Sequence, residues 1–249
     1  MSARPRLSPA ALLSRWLIGM ALVSWRYLWA TTPLHRTEVH EPTPELPPPL
    51  PAGIPTARMQ PWESGVGPMF QRLFRVRIAG ADKDAAALMQ TVIADMGRLV
   101  PREVVQVHAG DAVDRRLQVG DDIIVDMPGP WNGPVRVVAA EPTRLQMATL
   151  GGHLEAGQIE FRAYDEDPHV VFEIEAWARP ATRSVRLLYA HLRLAKEIQL
   201  NMWVRFCLAA VREAGGKRAG GVEIRTIVTP VPSEAVDRPG PGRCEVRVR

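Results

Sequence analysis

Between Phe70 and Ala214 the residues read as strand, helix, six strands and one long helix, in that order. Consecutive antiparallel strands make a sheet with an apolar face to cover, and a long amphipathic helix is the element that covers it. The first strand is predicted over Phe70–Ile78 and closed by Gly80. Asp82 and Asp84 are helix-starting residues, apolar periodicity follows over Ala85–Leu99, and Pro101 stops that helix. Strands then fall at Glu103–His108, Asp121–Met127, Val135–Ala140, Arg144–Thr149, Gln158–Tyr164 and Val170–Ala178, divided by dense turn signals at Pro128–Pro134, Gly151–Gly157 and Asp165–Pro168. The last two alternate cleanly. Ile159, Phe161 and Ala163 share one face, as do Val170, Phe172, Ile174 and Ala176, while Glu160, Arg162, Glu173, Glu175 and Trp177 take the other. One covered face and one solvated, charged face are therefore expected.

The long helix is predicted from Thr182 to Ala214, about 50 Å at 1.5 Å per residue. Its stripe holds Val185, Leu188, Tyr189, Leu192, Ala195, Gln199, Met202, Trp203 and Phe206, and Gly215–Gly216 end it. A short strand over Gly221–Val228 adds to the sheet edge. The class is α+β: a curved seven-stranded antiparallel sheet closed by a long C-terminal helix, with an amphipathic helix at the N-terminus. Such a sheet and helix enclose an apolar cavity.

The ends differ from the middle. Residues 1–36 carry five arginines and no acid, and residues 215–249 carry seven basic and four acidic residues, so the +4 of the whole chain leaves the middle at −4. A mildly acidic central domain is not an electrostatic nucleic-acid binder. Residues 1–40 form a basic, apolar segment in which Arg15 and Arg26 interrupt Leu12–Trp29, and Trp16, Trp25 and Trp29 crowd together. Four readings compete. Bulky Tyr27, Leu28 and Trp29 after the apolar centre oppose a cleaved leader. Arginines about 16 Å apart along a helix oppose a spanning one. An interfacial helix, with Arg15, Trp16, Trp25, Arg26 and Trp29 at a membrane surface, and a helix docked on its own domain or a partner both stay open. The segment 41–61 holds eight prolines and is expected as a semi-rigid linker or a strap over the surface. Residues 230–249 are expected as a disordered tail. Cys207, in an apolar helical run, is expected as a buried free thiol, and the two cysteines suit a cytoplasmic chain, peripheral at a membrane if the N-terminal helix lies there.

Several strings taken together resemble the DUF1990 family of uncharacterised proteins over roughly residues 60–228. They are GVGPMFQRLFRVRI (65–78), PGPWNGPVRVV (128–138), TLGGHLEAGQIEFRA (149–163), FEIEAWARP (172–180) and LRLAKEIQLNMW (192–203). SWRYLWATTPLHR (24–36) looks like the N-terminal extension of longer members. Strand order is similar to the helix-grip arrangement of START-like and Bet v 1-like proteins. The resemblance implies the fold for a domain over 62–229 and an undefined function. It supplies no catalytic residues.

Candidate chemistry stays close to simpler accounts. His153 and Glu155 lie two apart in GGHLEAG, and a metal there would need further ligands such as His169 or His191; the simpler account is a turn in which His153 bonds backbone. Glu160, Glu173 and Glu175 could divide acid and base roles, or be a solvated face paired with Arg162. Lys196 could anchor an anionic head or snorkel at the rim. Residues placed at the ligand are Trp131, His153, Glu155, Trp177, Tyr189, Leu192, Lys196, Gln199 and Trp203. Glu160 and His153 are the candidates for catalysis, and neither is assigned. No cofactor or metal is implied, and GGKRAGG (215–221) lacks the features of a phosphate loop. The expected function is binding of a hydrophobic, lipid- or polyketide-like molecule. A cyclase- or hydrolase-like enzyme and an interaction protein with a filled core are the alternatives.

Overall fold

The computed structural model describes residues 34–43, 45–99, 106–109, 116–126, 132–183, 185 and 193–231. The apolar segment 12–29 and the tail beyond 231 lie outside them, as do Trp131, Tyr189, His191 and Leu192.

The described elements are β1 (Leu34–His40), β2 (Met69–Ala79), α1 (Ala85–Ala94), β3 (Gln106–Ala109), β4 (Asp122–Asp126), β5 (Asn132–Glu141), β6 (Arg144–Thr149), β7 (Glu155–Glu166), β8 (His169–Pro180), α2 (Arg193–Glu213), β9 (Lys217–Arg218) and β10 (Val222–Thr229). Seven strands run in the order β2-β8-β7-β6-β5-β4-β3, every neighbour antiparallel. With α1 after the first and α2 after the last, this is the helix-grip arrangement. A bulge between Val137 and Ala139 in β5 bends the sheet.

The sheet is larger than the seven strands expected. β10 pairs antiparallel with β2, β1 pairs parallel with β10, and β9 pairs with β2, making ten. The short strand expected at the sheet edge after the long helix is β10, and β1 beyond it makes it an inner strand. The cause is local. Gly216 N–H donates to Val211 O at 3.3 Å and Gly215 N–H to Arg212 O at 3.1 Å, the double bond of a glycine helix stop. Gly215 takes φ +74, and a Cβ there would lie 2.2 Å from the Asp82 carboxylate. The chain then turns through GGKRAGG onto the side of β2 that β8 leaves open.

Apolar residues in phase on neighbouring strands make the inner face. Phe74, Ile174, Phe161 and Leu145 form one row across β2, β8, β7 and β6; Val76, Phe172 and Ala163 form the next. Leu88, Met89, Val92 and Ile93 of α1 and Phe206, Cys207 and Ala210 of α2 join this core. Phe206 stacks on Phe172 with centroids 5.9 Å apart and lies 5.2 Å from Phe161. Cys207 is a buried free thiol, as its context suggests, and burial pushes its pKa far up. Asp84 caps α1, accepting from Ala87 N–H at 2.7 Å. That helix ends at Ala94 rather than Leu99. Asp95 leaves helical geometry at φ −155 and accepts Arg98 N–H on its side chain, diverting the chain into a single 3-10 turn.

The carboxylates of the outer face are buried rather than solvated, contrary to the alternation-based expectation, while Arg162 keeps 35% of its side chain exposed. Glu173 is 0%, Glu160 4% and Glu175 7% exposed. The proline-rich segment is a strap across this face. Glu41 pairs with Arg225, Glu45 accepts from Gln71, and the Pro55 and Ala57 carbonyls accept from Arg136. Alternation reports only the sheet's own phase, so a cover supplied by a distant, unpatterned segment is invisible to it.

Phe206→Ala should lower stability by about 3–5 kcal/mol, because the cavity it leaves is walled by Phe161 and Phe172 of paired strands that cannot collapse. Urea denaturation followed by circular dichroism measures the loss.

Candidate functional site

Two groups of polar side chains occupy opposite faces of β2, β8 and β7. The inner-face group begins with phase. In β2 the residues facing the core are Phe70, Arg72, Phe74, Val76 and Ile78; in β7 they are Glu155, Gly157, Ile159, Phe161 and Ala163. Each strand thus carries one charge among apolar residues, and the two charges are opposite. Arg72 Nη1 lies 3.4 Å from Glu155 Oε1, with side chains 6% and 12% exposed. The Arg72 guanidinium also sits 5.1 Å from the Phe70 ring centroid, a cation–π distance.

Packing changes along this face. Around Phe206 the core is solid: Phe74, Phe161 and Phe172 are fully buried. Toward Arg72 the side chains shrink to Ala176, Ala178 and Gly157. There Phe70, Ile159 and Ala176 are only half-buried, as is Trp203, whose ring meets Phe161 edge-on at 5.7 Å. An accessible apolar floor therefore adjoins a buried ion pair, below the first half of α2. Lys196 and Gln199 belong to that half by their backbone positions.

The turn before β7 fixes the ion pair. Glu155 N–H donates to His153 Nδ1 at 2.9 Å, and Gln60 Nε2 donates to the His153 and Glu155 carbonyls at 3.0 and 2.9 Å. Gln60 N–H reaches Thr149 O, and Gln60 O accepts from Thr149 Oγ1 and Gly157 N–H. Burial lowers the pKa of His153, keeping the ring neutral. His153 and Glu155 do not converge on a metal: one braces the turn and the other pairs with Arg72. His169 lies at the far end of the β7–β8 hairpin, paired with Glu166. Among the described residues no group of three His, Cys, Asp or Glu is placed to hold a metal ion.

The outer-face group is a charge ladder. Glu173 of β8 accepts from Arg75 of β2, from Arg162 Nε of β7 at 2.6 Å and from Tyr164 hydroxyl at 2.9 Å. Arg162 also reaches Glu160 at 3.2 Å and Glu175 at 3.1 Å, and Arg144 lies 3.5 Å from Glu160. Burial alone would raise the Glu173 carboxyl, but Arg162 and Arg75 outweigh it and hold it below the usual range. Burial raises Glu175, against Gln71 and Arg162, with Glu45 and Glu173 adding to the rise. Gln71 Nε2 donates to both Glu45 and Glu175 at 2.8 Å.

Of the residues proposed from sequence, Glu155 and Trp203 adjoin the accessible floor, and His153 supports it from behind. Trp177 and Glu160 belong to the outer face, on the opposite side of the sheet from the floor. Trp131, Tyr189 and Leu192 lie outside the described residues. Arg72, Phe70, Ile159, Ala176 and Gln60 were missed. The signal for Arg72 was present: it is the charged member of the otherwise apolar series 70, 72, 74, 76 and 78.

Residues 69–226 match the model of a family described as a domain of unknown function, DUF1990. No curated protein matches the sequence. Among solved structures, the chain is similar to the ginseng major latex-like protein 151 from Panax ginseng at 13% identity and TM-score 0.39, over 58% of this chain and 94% of that one. It is similar to the di-domain ARO/CYC protein StfQ of the steffimycin biosynthetic pathway at 12% identity and TM-score 0.45, over 59% and 51%. Protein CV1439 from Chromobacterium violaceum matches at 11% identity and TM-score 0.41, over 59% and 98%.

The two outer-face carboxylates have opposite consequences. Glu173 titrates below its unfolded value, so its stabilisation is present above that value and is lost as pH falls through the folded one. Glu175 titrates above its unfolded value, so its stabilising contribution exists at low pH and is lost as pH rises through the folded value. At neutral pH Glu173→Gln should destabilise by about 3–5 kcal/mol, because it takes a fully buried carboxylate away from both Arg75 and Arg162, whereas Glu175→Gln should cause no loss. Chemical denaturation at neutral and acidic pH tests both, and the Glu173→Gln deficit should shrink in acid.

Proposed function

This chain belongs to the DUF1990 family, and we propose that it binds an apolar small molecule between the inner face of the sheet and the first half of α2. The carrying observation is the change in packing along that face. Phe74, Phe161, Phe172 and Phe206 fill one half, while Phe70, Ile159, Ala176 and Trp203 stay partly accessible in the other. Half-buried aliphatic and aromatic side chains beside a small polar group are the ordinary lining of a ligand site.

The function proposed is binding rather than catalysis. Glu160 faces away from the floor and is held by Arg144 and Arg162. His153 Nδ1 is engaged by the Glu155 N–H. Residues 12–29, with Arg15, Trp16, Trp25, Arg26 and Trp29, have the composition of an interfacial helix. We place them on a cytoplasmic membrane surface, where an apolar ligand would partition. Among the described residues no helix is long and apolar enough to cross a membrane.

Ala176→Phe discriminates an open site from a filled core. If the space is open, the new ring occupies it, thermal stability is kept, and enhancement of N-phenylnaphthylamine fluorescence falls at least about tenfold. If the core is solid, the variant loses about 1–3 kcal/mol from overpacking, and the wild-type protein does not enhance the probe.

A further inference from the structure

β1 presents a long, regular edge. Sheet edges are commonly blunted by proline, by bulges or by being very short. β1 runs seven residues without proline or glycine, and its register on β10 is unbroken from Leu34 to His40. Among the described residues no strand pairs with its other side. The chain that leaves β1 does not fold back along that side. It crosses the outer face instead, Glu41 reaching Arg225 of β10 and Glu45 reaching Gln71 of β2. His35, Arg36, Thr37, Glu38 and His40 are exposed.

One bond sets the backbone phase of this edge. Glu41 N–H donates to Val228 O at 3.2 Å, so odd-numbered residues turn their amides and carbonyls toward β10. Leu34, Arg36, Glu38 and His40 then turn theirs outward. Arg36 and Glu38, two apart, lie on one side of the sheet with opposite charges.

We propose that β1 pairs antiparallel with β1 of a second copy of this chain, about a two-fold axis at Thr37. In that register Arg36 stands opposite Glu38 of the second copy, Glu38 opposite its Arg36, and Leu34 opposite its His40. Each of these pairs joins residues whose backbone groups face outward, so about eight interchain hydrogen bonds form. Charge selects this register over its neighbours. A shift that moves the axis to Arg36 or to Glu38 keeps the backbone phase but sets two arginines or two glutamates directly opposite. A shift that moves the axis between residues sets outward groups against inward ones, and no ladder forms. The order arginine, threonine, glutamate is thus complementary to its own reverse, which is what an isologous contact requires. Arg36 has interactions within its own chain, and a guanidinium with five N–H donors keeps them while meeting a carboxylate.

Sedimentation velocity of the full chain over a dilution series tests this. The wild-type chain should pass from one to two chain masses as concentration rises. Arg36→Glu and Glu38→Arg each set like charges opposite at both central pairs, and each should weaken dimerisation at least about tenfold. An equimolar mixture of the two variants should recover a dimer, since one copy then brings two acids and the other two arginines. Glu38→Pro removes an N–H that β10 does not use, so it should abolish the dimer while the thermal melt is kept. A wild-type chain that stays single at every concentration overturns the proposal, as do dimers that survive in all three variants. Folded charge variants that fail to recover on mixing overturn the register and with it the proposal. Growth beyond two chains overturns it too, because a two-fold contact closes. Slow hydrogen exchange at the Arg36 and Glu38 amides of a monomeric wild-type chain places a segment of the same chain on the edge and overturns the second copy.

Discussion

Glu173 ties three strands together from the face opposite the core. Arg75 reaches it from β2, and Arg162 and Tyr164 reach it from β7. The same register that delivers these partners puts Phe74, Phe172, Ile174 and Phe161 on the other side of the sheet. A slip of one residue in β8 would turn Glu173 into the apolar layer and leave two arginines without it. Breaking a buried ion pair in this way costs about 3–5 kcal/mol, a large share of the stability of a domain this size. The ladder therefore acts less as added stability than as a lock on phase. Every inner-face residue, including Arg72 and Glu155, inherits its direction from that lock.

The strap makes the lock workable. Carboxylates on a bare sheet surface would be hydrated, mobile and weakly paired. The proline-rich segment removes water from part of the outer face, and proline limits the chain entropy lost in laying it down. Its far end then serves the inner face: Gln60, three bonds deep in the β6–β7 hairpin through its backbone alone, also holds the carbonyls of His153 and Glu155. One continuous segment thus lies against the Glu175 end of the charge ladder and braces the turn that carries the inner ion pair.

Much of the central architecture was legible because it is written in local pattern. Alternation over Gln158–Tyr164 and Val170–Ala178 assigned the faces of β7 and β8, Asp84 marked the start of α1, and Gly215 marked the end of α2. What escaped depends on partners far away in sequence. Leu34–His40 becomes a strand only because β10 offers an edge, and Lys217–Arg218 pairs only because β2 is open beside it. The site was legible by half. Glu155 stood out as an acid near a histidine, but its partner Arg72 lies 83 residues away. Only the register of β2 and β7 on β8 shows that their two out-of-place charges meet. Trp177 was expected at the ligand although its alternation with Glu173 and Glu175 already put it on the opposite face, where the structure has it.

The parallel pairing of β1 with β10 fixes how the domain is hung. Leu34 stands beside Val222 and His40 beside Val228, and Val228 in turn stands beside Phe70. The N-terminal segment therefore joins the sheet at the end away from Phe70, roughly 20 Å along a seven-residue strand. If that segment is held on a surface, the attachment point is the aromatic-filled end of the domain. The accessible end, with Arg72 and Glu155, is then carried outward like the bowl of a ladle, its opening set apart from its handle by the length of one strand.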